Sequence, residues 1–402
     1  MAEPLSSNPP ESTPPVARRR LMIACACAMF SFGAGIVIPS VCLQTIGTEF
    51  HLSFTQRGFL ITTRIACLML ALLAAGYLAE RHGKRPFLIV GLLLIAASQA
   101  LAARAFGYGA LVGAQLLSGA GKGTMEALVN PLVARLNPER SARMLNFTNG
   151  LFSVGLVFSA LTTGEILQRT GSWRVPYLVW IPPLLLCVAL FATRRYPAEH
   201  AAEKRRESAR LFLRSPLFWI LFATMVLSGG CEAGLVSWGP NFVQHELHAS
   251  ARGGAWTLTL YGILMAVGRF TSSAVVVRLT AVRLMLLSAA GCLLVTAGLS
   301  FAGSLWLAWA LFALGGLFIA CFWPTILSVA SDHLASGSTA LFALLSTAGV
   351  IGSMTVPWAI GALGDVVGLR AAMGLLPVAM VGVIVLLVVA TRLLASRPPL
   401  SS

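Results

Sequence analysis

Lys122, Glu126 and Asn130 stand at i, i+4 and i+8 inside an apolar stretch, 111–136, so they share one face of a helix. Glu126 can take up and release a proton, and Asn130 can donate to and accept from a polar solute. Each ionised group near a bilayer centre costs about 2.5–3.5 kcal/mol on insertion scales. A chain that keeps both Lys122 and Glu126 therefore has a use for them or a partner for them. One reading makes Lys122 the cation that sets when Glu126 takes up its proton, freeing Lys122 or Asn130 to meet a substrate. The other is a static ion pair that makes both residues tolerable in the helix.

Further polar residues are embedded in the same way. Glu232 lies beside Gly229 and Gly230, which can loosen a helix and expose carbonyls, and is a second candidate proton site or a structural partner of Arg269. Arg64, Lys122 and Arg269 give three intramembrane cations against Glu126 and Glu232, an excess that favours a carboxylate or phosphate on the substrate. Arg64 and Arg269 could equally snorkel to the two interfaces. Asn146, Asn149, Trp238, Asn241 and Trp323 suit a sugar, which is held by aromatic faces and amide hydrogen bonds. Trp is also an ordinary interfacial anchor. His245 and His248 flank Glu246-Leu247 without the spacing of a zinc helix and read as a solvated loop. No metal or cofactor is called for.

Helices long enough to cross a bilayer must position these groups. The chain has 402 residues, 57% hydrophobic and 11% charged, too little charge to solvate a soluble surface of that size. Runs of about 20 apolar residues give twelve spans: 21–43, 57–79, 86–105, 108–134, 144–167, 174–193, 216–243, 254–277, 284–303, 305–330, 338–363 and 371–394. Of the 29 Lys and Arg residues, twenty fall in the loops on one side, six on the other and three inside spans. By the positive-inside rule both termini and the 194–215 loop are cytoplasmic. The net charge of +15 is thus a topology signal and implies no nucleic-acid partner. The eight cysteines lie within spans without metal spacing and read as buried packing.

The expected organisation is a disordered tail at 1–17, a six-helix bundle at 18–193, a cytoplasmic linker at 194–215, a second bundle at 216–394 and a tail at 395–402. In the linker, Glu199, Glu203 and Glu207 against Lys204, Arg206 and Arg210 suit a helix on the membrane surface. The Arg18–Arg20 cluster leads into an uncleaved first span. Asn130-Pro131 and Gly171…Arg174 are echoed by Trp323-Pro324 and Gly368…Arg370, as two tandem repeats would be.

Between the second and third spans runs Gly76-Tyr-Leu-Ala-Glu80-Arg81-His-Gly83-Lys84-Arg85. This resembles the major facilitator superfamily signature Gly-x-Leu-Ala-Asp-Arg-x-Gly-Arg-Arg/Lys, with Glu80 in place of the usual Asp. The resemblance implies two pseudo-symmetric six-helix bundles and a cytoplasmic gate built on Gly76, Glu80, Arg81, Gly83 and Arg85. The second-half counterpart keeps Arg278 and Arg283 but has Val277 at the acidic position, so such a latch would be asymmetric.

Several stretches are also similar to the fucose–galactose–glucose:proton symporter family. These are Glu126-Ala-Leu-Val-Asn130-Pro131-Leu-Val133, Leu145-Asn146, Gly230-Cys-Glu232, Ser237-Trp238, Gly268-Arg269 and Phe322-Trp323-Pro324-Thr-Ile326. In that family the fourth-span acid serves proton coupling and substrate binding, which points to Glu126. Its sugar-specific members also use an acid in the first span, whereas residues 22–43 here carry no charge. The Gly-Pro mark of drug/proton antiporters and the Pro-Glu-Ser-Pro-Arg run of classical sugar porters are missing.

The expectation is an all-α polytopic protein of the cell (inner) membrane, a monomer in the lipid bilayer. It moves a small-molecule substrate, sugar-like, by alternating access, with a proton coupled through Glu126. The first alternative is a small organic anion held by Lys122, Arg64 or Arg269; a remote one is a non-transporting receptor. No nucleophile–base pair or metal set suggests an enzyme.

Overall fold

In a computed structural model of the chain, the described residues are 15–137, 140–192, 196, 210–275, 279–334 and 339–395. They are almost entirely α-helical. The first bundle contains α1 (Pro15–Glu49), α2 (Phe54–His82), α3 (Lys84–Ala103), α4 (Tyr108–Leu136) and α5 (Ser141–Thr170). Its sixth span is broken into α6 (Arg174–Val179) and α7 (Ile181–Phe191). Pro182 and Pro183 open α7, and neither has the N–H that would continue the preceding turn.

A short α8 (Arg210–Leu213) leads into the second bundle. There α9 (Pro216–Glu246), α10 (Ala251–Val275) and α11 (Ala281–Leu299) are followed by a broken tenth span, α12 (Leu305–Ile319) and α13 (Phe322–His333). The bundle closes with α14 (Thr339–Val367), then α15 (Leu369–Ala372) and α16 (Leu375–Ala395), which together make the twelfth span. Among the described residues ten helical segments are long and apolar enough to cross a membrane, and α4 and α10 bring the spans to twelve. That α4 falls short of the others is itself informative, because it carries Lys122, Glu126 and Asn130.

The two bundles repeat one another in side-chain detail. At the end of α1 Glu49 pairs with Arg174 at 2.6 Å, and Arg174 also donates to the Ala105 carbonyl at 3.2 Å. Half the chain later Glu246, at the end of α9, pairs with Arg370 at 3.3 Å, and Arg370 donates to the Ala302 carbonyl at 2.8 Å. Arg174 and Arg370, recognisable in the sequence as an echo, thus make the same join twice.

Packing within the bundles is close where glycine permits it. A Cβ on Gly33 of α1 or Gly155 of α5 would strike the backbone of Phe152 or Phe30, so these glycines seat α1 against α5. On α4, Gly119 and Gly123 lie on the backbone of α2 at Arg64 and Leu68, while Gly121 faces Gly91 of α3. The first bundle's apolar core is consequently in two parts. One, with Leu21, Leu88, Met125 and Leu128, lies toward the face where α1 begins and α16 ends, here the terminal face. The other, with Ile38, Leu111, Ala114 and Trp173, lies toward the far face. Between them, along α2, α3 and α4, come the buried Arg64, Gln99, Gln115 and Lys122.

Contacts between the bundles run mainly through α2 with α14 and α5 with α10. Hydrogen bonds that join them in the far half include Thr62 to the Met354 carbonyl (2.7 Å), Asn241 to Gln44 (3.1 Å) and Gln244 to the Val41 carbonyl (3.2 Å). Arg252 and Glu165 add an ion pair at 2.8 Å.

The signature loop is a single-residue turn. Gly83, at φ +82°, separates α2 from α3 in a backbone region that side chains disfavour. Arg81 lies over the Tyr77 ring at 4.5 Å, and Arg85 donates to the Ala192 carbonyl at 2.9 Å. The Glu80 side chain lies outside the described ones. A Cβ on Gly76 would meet open space. Helix α1 begins at Pro15, inside the tail expected at 1–17. The remainder of that tail, linker residues 197–209, Val277, Arg278 and the C-terminal residues 396–402 lie outside the described residues.

Candidate functional site

Where the bundles part, toward the terminal face, lies a cavity of about 330 Å³. Helices α1 and α5 contribute Phe32 and Phe152, whose rings stand 5.6 Å apart over the close Gly33–Gly155 crossing. From α4 come Glu126 and Asn130, and from the second bundle Arg269 of α10 and Trp323 of α13. Both Glu126 and Arg269 are exposed on the cavity wall. Among the described residues neither makes an ion pair within 4 Å. Asn130 Oδ1 is buried without a protein partner. One acid, one base, an amide and aromatic faces therefore converge from both bundles, the composition of a site for a small polar or charged molecule.

Lys122 departs from the sequence expectation. Its ammonium is buried and donates to the Gly35 carbonyl at 2.7 Å, on α1, rather than pairing with Glu126. The reason lies in α1, where Pro39 has no N–H to bond the carbonyl four residues earlier. Lys122 supplies the missing donor. Phe32, which lines the cavity, lies 5.9 Å from the same ammonium, so Lys122 is outside the cavity but touches its wall.

Arg64 is also absent from the cavity. It is buried in the first bundle beside Gln115 and Tyr177, with Nη1 unpartnered, and has not snorkelled to an interface. Its charge and that of Lys122 act on one another.

In the second bundle Glu232 is half-buried on α9, and Arg269 is close enough to act on it electrostatically. Gly229 and Gly230 do not loosen α9, which is continuous. They let it pack against Gly349 and Gly352 of α14. Trp238 and Asn241 are withdrawn from any sugar platform. Trp238 is fully buried and donates to the Pro357 carbonyl at 2.9 Å, and Asn241 belongs to the far-half join with Gln44. The side chains of Asn146 and Asn149 lie outside the described ones. Sequence reasoning missed Phe32 and Phe152; the Gly33 and Gly155 that bring them together were the available signal.

The arrangement has counterparts among known proteins. A family model described as Major Facilitator Superfamily matches residues 22–337 and 240–402. The chain is 26% identical over 331 residues to the cyanate transport protein CynX of Escherichia coli, covering 79% of this chain and 83% of that one. It is 22% identical over 240 residues to the cis,cis-muconate transport protein of Acinetobacter baylyi, covering 55% of this chain and 57% of that one. A bacterial homologue of the human lysosomal transporter Spinster, inward-facing and unoccupied, matches with TM-score 0.79 at 17% identity, covering 96% of this chain and 99% of that one. A D-xylose–proton symporter matches with TM-score 0.74 at 16% identity, covering 92% and 96%. At such identities these two structures speak for the fold alone.

Proposed function

The chain belongs to the major facilitator superfamily and is an integral, multi-pass membrane transporter of small solutes; from this premise we propose that it carries a small organic anion by alternating access, together with a proton taken up by Glu126. The observation that carries the reading is the placement of Glu126 and Arg269 on one cavity, from opposite bundles and, among the described residues, without an ion pair. A carboxylate on the solute would meet the Arg269 guanidinium, whose forked donors match it. An ionised Glu126 on the same wall would repel that carboxylate, and a proton on Glu126 removes the repulsion. Anion and proton then favour each other's binding, as symport requires. Glu232, within reach of Arg269, competes for the same guanidinium and is the second proton site in this scheme.

The names of two relatives, for cyanate and muconate, support an anionic cargo. The sugar-like alternative is favoured by Trp323 and Asn130 on the cavity wall. It loses support from the burial of Trp238 and Asn241 in structural contacts. With the basic loops taken as cytoplasmic, the terminal face opens inward and the far-half joins close the outside. Bacterial relatives favour the cell's inner membrane.

Uptake into proteoliposomes separates the cargoes. Cyanate, cis,cis-muconate and a hexose panel are supplied with and without an inward proton gradient. The reading expects an anion to accumulate under the gradient and Arg269→Gln to weaken its uptake at least tenfold, the loss of a charged hydrogen bond. Accumulation of a hexose alone, or anion uptake indifferent to Arg269→Gln, sinks it.

A further inference from the structure

The cavity between the bundles has a lining of two kinds. Its charged and amide groups, Glu126, Asn130 and Arg269, come from α4 and α10. Everything that α1 and α5 contribute is apolar, Met29, Phe32 and Phe152 among them, and Met125 and Val129 of α4 extend that surface.

The aromatic part of the lining is held in place. Phe32 and Phe152 stand 5.6 Å apart and tilted by 41°, too close for a solute to slip between them. Gly33 and Gly155 fix that spacing, backbone against backbone. In the second bundle the Trp323 ring is seated on Gly349, where a Cβ would strike it. Rings already fixed lose little freedom on binding. They favour a flat π body, which stacks on them or meets them edge-on. Met29 and Met125 add polarisable sulfur that adapts to such an outline.

Charge and size set the rest. Among the described residues Arg269 is the one cation on the lining, a match for a single carboxylate once Glu126 is protonated. The second carboxylate of a diacid would fall among apolar side chains or beside Glu126, without a partner. The volume of about 330 Å³ equals roughly ten waters at about 30 Å³ each, so a three-atom anion would leave the α1–α5 wall wet.

We propose that the solute is a monocarboxylate with a flat, unsaturated body about the size of a benzene ring, and that Phe32 and Phe152 select for its flatness. Resting on the anion reading above, this specificity narrows the class of cargo. The carboxylate meets Arg269, and the body lies along the Phe32–Phe152 surface with Trp323 touching it from the second bundle.

The test is calorimetric binding to the full-length protein in detergent at one fixed pH, since benzoic acid crosses bilayers unaided. Benzoate should bind about three- to tenfold more tightly than cyclohexanecarboxylate, which carries the same carboxylate on a puckered ring. cis,cis-Muconate, flat but with two carboxylates, and cyanate, with no body, should both bind more weakly than benzoate. Phe32→Leu and Phe152→Leu keep an apolar wall without the ring, and each should bring the benzoate preference toward onefold. That preference is a ratio taken within one protein, so loss of folded material does not move it; if neither variant folds, the parent protein decides. Equal affinities for benzoate and cyclohexanecarboxylate, tighter binding of cyanate or muconate, or a preference retained in both variants overturns the specificity. If Arg269→Gln still weakens the anions in that case, the anion reading itself stands. Binding of hexoses and of no anion overturns both.

Discussion

The Asp365 carboxylate, near the end of α14, accepts the backbone N–H of Phe54 at 2.7 Å, the first residue of α2 in the other bundle. It accepts the Thr55 N–H as well, at 2.8 Å. The next donor, Gln56 N, goes to the Ser53 hydroxyl, and Arg57 N goes to the Ser53 carbonyl. Every free N–H of that first turn is thus satisfied, two of them by a residue of the opposite bundle. An anion at a helix N-terminus also gains from the helix dipole. Closure of the far half is therefore written partly as a helix cap shared between bundles.

Removing that cap should loosen the closure. Asp365→Ala is expected to cost about 1 kcal/mol, which shifts the ratio of far-closed to far-open molecules about fivefold. Spin labels at the exposed His51 and His248, one on each bundle, would report the opening as a longer distance population. Asp365→Asn keeps an acceptor and should shift the ratio less. Identical distance distributions in Asp365→Ala and the parent would remove Asp365 from the closure.

The contact between Lys122 and the Gly35 carbonyl makes a coupled pair with Pro39. Lys122→Met removes a buried charge but leaves that carbonyl without a donor, at about 1–3 kcal/mol. Pro39→Ala restores a backbone N–H to the same carbonyl. The double variant should therefore be more stable than the sum of the two single changes, by about 1 kcal/mol. Melting temperatures of the four proteins measure this directly. Strict additivity would mean that Lys122 does not serve as the donor that Pro39 withholds.

The Lys122 result also shows where the sequence stopped being legible. The spans could be read because apolar length is a local property, and Gly83 because its turn needs a positive φ. Arg174 and Arg370 could be paired as an echo, since both follow a glycine at the same place in a repeat. Lys122, Glu126 and Asn130 were harder. Each step of four residues turns about 40° around the helix, enough to send Lys122 toward α1 while Glu126 reaches the cavity. Which neighbour lies on either side is set by Gly119, Gly121 and Gly123 fitting α4 between α2 and α3. That is a tertiary fact. Trp238 likewise could not be told from a substrate platform until the Pro357 carbonyl was found in front of its indole.

The crossing of α1 and α5 gives a prediction with its own control. Gly155→Ala drives a methyl into the Phe30 backbone, which cannot yield as a side chain would. A loss of about 1–3 kcal/mol is expected. Gly150, on the same helix, faces open space, so Gly150→Ala should be neutral or slightly stabilising through helix propensity. Matching melting temperatures for the two variants would show that the α1–α5 contact is looser than the packing implies.

In the proposed cycle Glu126 bears the coupling. With one proton carried per monovalent anion, a pH difference of one unit supports about tenfold accumulation, the ratio that 1.36 kcal/mol supplies. Such a cycle moves no net charge, so a membrane potential should leave accumulation unchanged. Glu126→Gln keeps the shape of the protonated acid and cannot give the proton up. It should still exchange solute across the membrane, because the repulsion with a carboxylate is permanently removed. Accumulation should fall to onefold even with the gradient imposed. Counterflow and gradient-driven uptake, measured on the same vesicles, distinguish lost coupling from lost binding. If Glu126→Gln still concentrates the anion tenfold, the proton travels by another residue, and Glu232, close enough to feel the charge of Arg269, is the next to test.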